Sequence, residues 1–215
     1  MSEKLTETEA RIVGALVEKQ LTTPEYYPLT LNALIAACNQ KTNREPVVNY
    51  DEQTVSRTLD DLRDKNLVYV FYGSTSRVPK YKHMLPQVYE LSASETAVIC
   101  VLMLRGAQTL GELRERTGRL YEFSGLGEVN ETLDALAKKD EPLVVKLERQ
   151  PGQKEARFAH LLSGEVASYT PPEKSVSRSP AGNEKIENLE RELENLKSEL
   201  SAFRQEFEEF KKQFE

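Results

Sequence analysis

The octet VSRTLDDL, Val55 to Leu62, returns 74 residues later as VNETLDAL, Val129 to Leu136, identical at five of eight positions. A chain that writes one amphipathic helix twice is most simply built from two copies of one small domain, and 215 residues are enough for both cores. Reading outward from the octets supports this. Each is preceded by two helical segments and followed by two strand-like ones. In the first copy a capping box, Thr6 with Glu9, opens a helix over Thr6 to Gln20 whose stripe includes Ile12, Val13 and Leu16. A second helix begins near Leu31 and a third runs from about Asp51 to Lys65, with Val55, Leu59 and Leu62 inward. The strands LVYVFYG and RVPKYKHML close the copy.

The second copy repeats these marks. Ser92 with Glu95 and Thr109 with Glu112 are further capping boxes; the helices are expected over Ser94 to Arg105, Leu110 to Thr117 and about Gly127 to Lys139. LVVKLERQ and EARFAHLL form the second hairpin, so His83 and His160 fall at equivalent points. Offsets between matched elements vary from 74 to 86 residues, and the differences fall in loops, where insertions are tolerated. Three helices and a hairpin are the order of a winged helix, a helix-turn-helix variant whose third helix can enter a major groove. The expected class is therefore mainly α with small β-hairpins (α+β): winged-helix domains over residues 1–85 and 86–165, a Pro/Ser-rich linker over 166–183, and a coiled-coil helix over 184–215.

The segment NQKTNREPVVNYDEQTVSRTLDDLRDKNLV, Asn39 to Val68, with LTETEARIVGALVEKQLTTPEYYPLTLNAL before it, resembles the YceH-like family of bacterial proteins, a family of unknown function. The resemblance covers about residues 5–165, and Asn39 to Tyr50 is its most distinctive part. It implies a tandem winged-helix fold in a bacterial cytoplasmic protein. It brings no activity, cofactor or catalytic residue with it.

Function has to come from the side chains. The net charge of −6 disfavours a phosphate-binding chain, but residues 1–85 carry 11 basic and 11 acidic side chains, against 10 and 13 over residues 86–165. Outward positions near the front of the first copy's third helix are Gln53, Ser56, Arg57 and Asp60; Gln, Ser and Arg suit base edges and phosphates, while Asp60, with Asp61 and Asp64 on the same helix, counts against them. The hairpin after it holds Arg77, Lys80, Lys82 and His83 among Tyr69, Phe71, Tyr72 and Tyr81, with no acidic residue between Asn66 and Gln87. Lys41 and Arg44 lie in the loop before the helix. These eight, Lys41, Arg44, Gln53, Ser56, Arg57, Arg77, Lys80 and Lys82, are the candidate contacts to double-stranded DNA. The bland reading is a solvated helix face, with alternate aromatics in the core. Equivalent positions in the second copy are Glu128, Asn130, Glu131 and Asp134, where carboxylates would repel phosphates, so that copy is expected to be structural or to bind proteins.

No nucleophile stands with its base, and neither a phosphate loop nor a metal-ligand cluster appears, so no catalytic residue, cofactor or metal is expected. His83 and His160 fit packing or capping, and Cys38 and Cys100 sit in apolar runs as buried free thiols. No stretch has the length of a signal peptide or membrane span, which points to the cytoplasm. In the tail Ile186, Leu189, Leu193, Leu196, Leu200, Phe203, Phe207, Phe210 and Phe214 alternate spacings of three and four, the pattern of a coiled coil. Opposite charges in all g-to-e′ pairs, from Lys185 with Glu190 to Glu206 with Lys211, favour parallel self-association, with dimer against trimer open. Two functions follow: a non-enzymatic DNA-binding or regulatory protein acting through the first copy, or a scaffold whose winged helices bind proteins.

Overall fold

The computed structural model describes residues 3–72, 78–149 and 155–164, all within one compact unit. Arg77, the expected linker 166–183 and the heptad residues from Ile186 to Phe214 lie outside the described residues.

The protein is mainly α with small antiparallel hairpins. The first copy consists of α1 (Glu7–Thr22), a two-residue β1 (Leu29–Thr30), α2 (Leu31–Cys38), α3 (Glu52–Asp64), β2 (Val68–Phe71) and β3 (Lys80–His83). A short α4 (Leu85–Val88) leads to the second: α5 (Ala93–Arg105), α6 (Leu110–Thr117), α7 (Leu126–Ala137), β4 (Val144–Lys146) and β5 (Phe158–His160). All three expected capping boxes form. The backbone N–H of Glu9, Glu95 and Glu112 each donates to the hydroxyl of Thr6, Ser92 or Thr109 at 3.2 Å, and each glutamate accepts from the cap residue's own N–H.

The sequence led us to expect two strands per copy, and the first copy has three, in the order β1-β3-β2, because Leu29 and Thr30 pair with Tyr81 and Lys80. In the second copy this third strand shrinks to a single bridge, Gln108 opposite Phe158, with N···O distances of 3.0 and 2.7 Å. Gln108 and Leu29, and Phe158 and Tyr81, stand at matching points of the two copies, so the structural correspondence extends to a strand too short to show periodicity.

The two copies share one core. Every residue of α1 from Glu9 to Val17 is buried, as is every residue of α5 from Glu95 to Leu104. A helix apolar on one stripe only could not be covered all round; these two cover each other while each also packs on its own copy. The approach is closest at Gly14, where a Cβ would stand 3.0 Å from Leu104 Cδ2 and Cγ and 3.3 Å from Met103 Cβ. Cys100 Sγ donates to Gly14 O at 3.4 Å across the same contact. Gly14→Val is expected to lower the unfolding free energy by about 1 to 3 kcal/mol through overpacking. Urea unfolding at neutral pH measures this; an unchanged midpoint would show that α1 and α5 separate at no cost.

Candidate nucleic-acid interface

Helix α3 is fixed at its start by Asp51, whose Oδ1 accepts from Thr54 N at 2.8 Å. Val55, Thr58, Leu59 and Leu62 face the core, and that inward stripe leaves Gln53 and Arg57 exposed, with Ser56 half-buried beside them. Glu52, Gln53, Ser56, Arg57 and Asp60 line a shallow open groove along this face. Asp60 is partly neutralised by Arg63 Nη1 at 3.1 Å. Asp61 and Asp64, both exposed, keep the second half of the helix acidic.

The hairpin sorts its side chains by strand pairing. Tyr69 is opposite Lys82 and Phe71 opposite Lys80, and residues directly opposed share a face, so these four form the outer surface of the sheet. Tyr69 is 62% exposed, Phe71 45% and Tyr72 67%, so the outer aromatics are not core residues as the bland reading had them. The inner face carries Val68, Val70, Tyr81 and His83. Tyr81 is half-buried, and burial, then the nearby Asp60, raises its phenol above the ordinary value. Tyr69 and Phe71 belong with Lys80 and Lys82, and strict alternation along YVF was the signal that could have placed them there; Tyr72, just past the strand end, is also exposed.

Of the remaining candidates, Lys41 is exposed in the loop before α3. Arg44 requires a correction. It is buried, and its guanidinium meets Glu18 with Nη2 to Oε2 at 2.6 Å and Nη1 to Oε1 at 3.1 Å. Nε and Nη2 also donate to Ala37 O at 3.2 and 2.9 Å, and Nη1 to Asn43 O at 2.9 Å. With its donors engaged inside the protein, Arg44 holds the loop rather than a phosphate. A second clasp, Asn39 Nδ2 to Tyr50 O and Tyr50 N to Asn39 Oδ1, both 2.8 Å, closes the same loop.

The second copy presents different chemistry. Glu128 accepts from Ser124 N at 2.8 Å, Ser124 Oγ at 2.9 Å and Tyr121 Oη at 2.8 Å, and these hydrogen bonds, the Ser124 N–H first, hold its carboxyl below the ordinary value. Glu131 and Asp134 are exposed. A groove of this copy is lined by Leu110, Leu126 and Phe158 together with Asn130, Lys146, Glu148 and Arg149, and Leu126 is 46% exposed.

His83 and His160 occupy matching sites at the strand ends, opposite Val68 and Val144. His83 N donates to Tyr27 Oη at 2.7 Å, and His83 Nδ1 accepts from Leu85 N at 3.4 Å. Nε2 of His83 and Nδ1 of His160 are buried without a partner among the described residues. Burial pushes both imidazoles down to about 4, with Lys82 adding to the effect at His83. Among the described residues, no group of three or more His, Cys, Asp or Glu side chains is placed to hold a metal ion. Nor is any described helix long and apolar enough to cross a membrane.

A family model described as "Protein of unknown function, DUF480" matches residues 5–153. The chain belongs to the DUF480 family. A "UPF0502 protein" from Opitutus terrae is 59% identical over 164 residues, covering 76% of this chain and 71% of the relative. One from Citrifermentans bemidjiense is 50% identical over 194 residues, 90% of each chain. "UPF0502 protein YceH" from Escherichia fergusonii is 49% identical over 183 residues, 80% of this chain and 85% of the relative. The resemblance seen in Asn39 to Val68 is thus to the right family, and the family's description leaves the activity to be argued from this site.

Proposed function

We propose that each copy of this DUF480 protein is a winged helix and that the first binds double-stranded DNA, α3 entering the major groove and the β2–β3 hairpin following the flanking backbone. The protein on this reading is a non-enzymatic cytoplasmic regulator that self-associates through a parallel coiled coil at its C-terminus. The observation that carries it is the pairing of Lys80 and Lys82 with exposed Phe71 and Tyr69 on the outer face of the hairpin, next in sequence to a helix that exposes Gln53 and Arg57. Cations there supply the sequence-independent affinity, and Gln53 and Arg57 are the types that read base edges. The second copy, with Glu131 and Asp134 outward and exposed Leu126 in its groove, suits a protein partner instead, which keeps a scaffold role as the second reading.

Binding of the full chain to a random duplex is expected to weaken by about 0.9 log unit per log unit of salt for each phosphate neutralised. Lys80→Ala with Lys82→Ala should reduce that slope by about 2. Gln53→Ala or Arg57→Ala should cost about 1 to 3 kcal/mol at a preferred site if these residues read bases. Glu131→Gln should leave affinity unchanged or raise it. Fluorescence anisotropy across a salt series gives all four, and an absence of salt-sensitive binding at low ionic strength would remove the DNA reading in favour of the scaffold.

A further inference from the structure

Among the described residues of the first copy two arginines are buried, and one of them has a carboxylate in contact. Arg44 is 5% exposed and paired with Glu18 at 2.6 Å; Arg11, on α1, is 4% exposed and has no carboxylate within ion-pair distance among the described residues. Its Nη1 donates to Cys38 O at 3.3 Å and its Nη2 to Pro46 O at 2.6 Å, while Nε has no partner. Cys38 closes α2, so its carbonyl offers the partial negative charge of a helix end, about half an elementary charge. A whole buried guanidinium charge is not balanced by that, and buried charges in folded proteins are paired or bound to something. The nearby Arg44 adds repulsion: burial first, then Arg44, lowers the Arg11 pKa from its ordinary value, and Tyr50, Cys38 and Glu45 oppose this without cancelling it.

Arg11 lies in the wall of a cavity of about 350 Å³ where the two copies meet, between α1, the loop through Val48 and Tyr50, the end of α5 and the residues around β5. That volume is at the lower end of the range for small-molecule sites, roughly 300 to 1,000 Å³. The remaining lining is divided by character. Val48, Met103 and Ala107 give apolar walls, and His160, whose Nδ1 has no partner among the described residues, stands in the same lining. Glu7 and Glu45, both exposed, bring two carboxylates to the solvent side. A free inorganic anion would meet those carboxylates on its way in. A ligand with an anionic group at one point, a cationic group at another and an apolar body matches all three parts of the lining.

We infer that the cavity between the copies binds a free α-amino acid with an apolar side chain, its carboxylate on Arg11, its ammonium toward Glu7 and Glu45, and its side chain against Val48 and Met103. Because α1 and α5 form this wall and also the shared core, occupancy stiffens the junction that fixes one copy against the other. The site is independent of the DNA reading and can be tested without nucleic acid.

Thermal melting of the full chain is followed with L-leucine, L-methionine and L-phenylalanine, and with isoamylamine and isovalerate as probes lacking the carboxylate or the ammonium. A saturating amino acid is expected to raise Tm by roughly 5 to 10 °C, and the two truncated probes to leave it unchanged. Arg11→Gln should abolish the response. If that variant loses its cooperative transition, Glu45→Gln at an exposed position carries the test, weakening the amino acid roughly two- to fivefold by calorimetry. The proposal is overturned if none of the three amino acids shifts Tm, if isovalerate or phosphate shifts it equally, which would mean a simple counter-ion, or if Glu45→Gln binds as tightly as the native protein.

Discussion

Replacing Arg44 with Ala lowers the unfolding free energy by about 3 to 5 kcal/mol, the scale of a broken buried ion pair. The loss has two parts. Glu18, whose side chain is 15% exposed, would be left without its cation, and Ala37 O and Asn43 O would each lose a charge-assisted donor. Burial alone would raise the Glu18 carboxyl, but the hydrogen bonds and charge of Arg44, with help from Lys19, hold it below the ordinary value. A carboxyl with a lowered folded pKa contributes stability above the ordinary carboxylate range and loses it as acid titrates it. The Arg44→Ala penalty should therefore be largest near neutral pH and shrink in acid. Urea unfolding of the native protein, Arg44→Ala, Glu18→Gln and the double variant supplies the cycle, and strict additivity of the two single changes would show that the pair is not coupled.

Between about pH 6.5 and pH 4 the protein should lose stability through its two histidines, by as much as about 3 kcal/mol for each. The sign follows from the direction of the shift. Each imidazole falls from 6.5 in the unfolded chain to about 4 when folded. The unfolded state therefore takes up protons first on acidification, and the folded state is disfavoured progressively until the lower value is passed. Above the unfolded value the effect is absent. His83→Gln and His160→Gln, neutral throughout, should each flatten the acid limb by about half, and together they should nearly remove it above the carboxylate range. Denaturation midpoints measured at steps of pH give the limb. A double variant with the slope of the native protein would mean that neither imidazole is held neutral.

These expectations rest on features of unequal visibility. Helices α1, α3, α5 and α6 were readable because each has a hydroxyl or carboxylate cap ahead of a buried stripe, and both signals are local. Strand β1 was not, since Leu29 and Thr30 are only two residues and take their identity from Tyr81 and Lys80, fifty positions further on. Nor was α4, where Pro86 sits in a four-residue turn of helix. The candidate interface divided in the same way. Periodicity put Gln53 and Arg57 outward, and alternation could have put Tyr69, Phe71, Lys80 and Lys82 on one face. Arg44 looked like a loop cation because a guanidinium reads the same whether it meets water or Glu18. Arg11 gave no sign either: only the fold shows that α1 is covered on all sides and that this charge lies beside a cavity.

That covering has a consequence for how the protein is made. Leu5 N donates to Leu162 O at 2.8 Å, and Lys4 Nζ to Leu161 O at 3.3 Å, so the first turn of the chain is tied to almost the last described residue. Helix α1 leaves the ribosome long before α5 and β5 exist. At about 5 to 20 residues per second, its apolar surface waits on the order of ten seconds for the partners that bury it. During synthesis the nascent first copy therefore carries an uncovered apolar face on α1, and a transcript cut after the first hairpin would yield a sticky fragment in place of a working half.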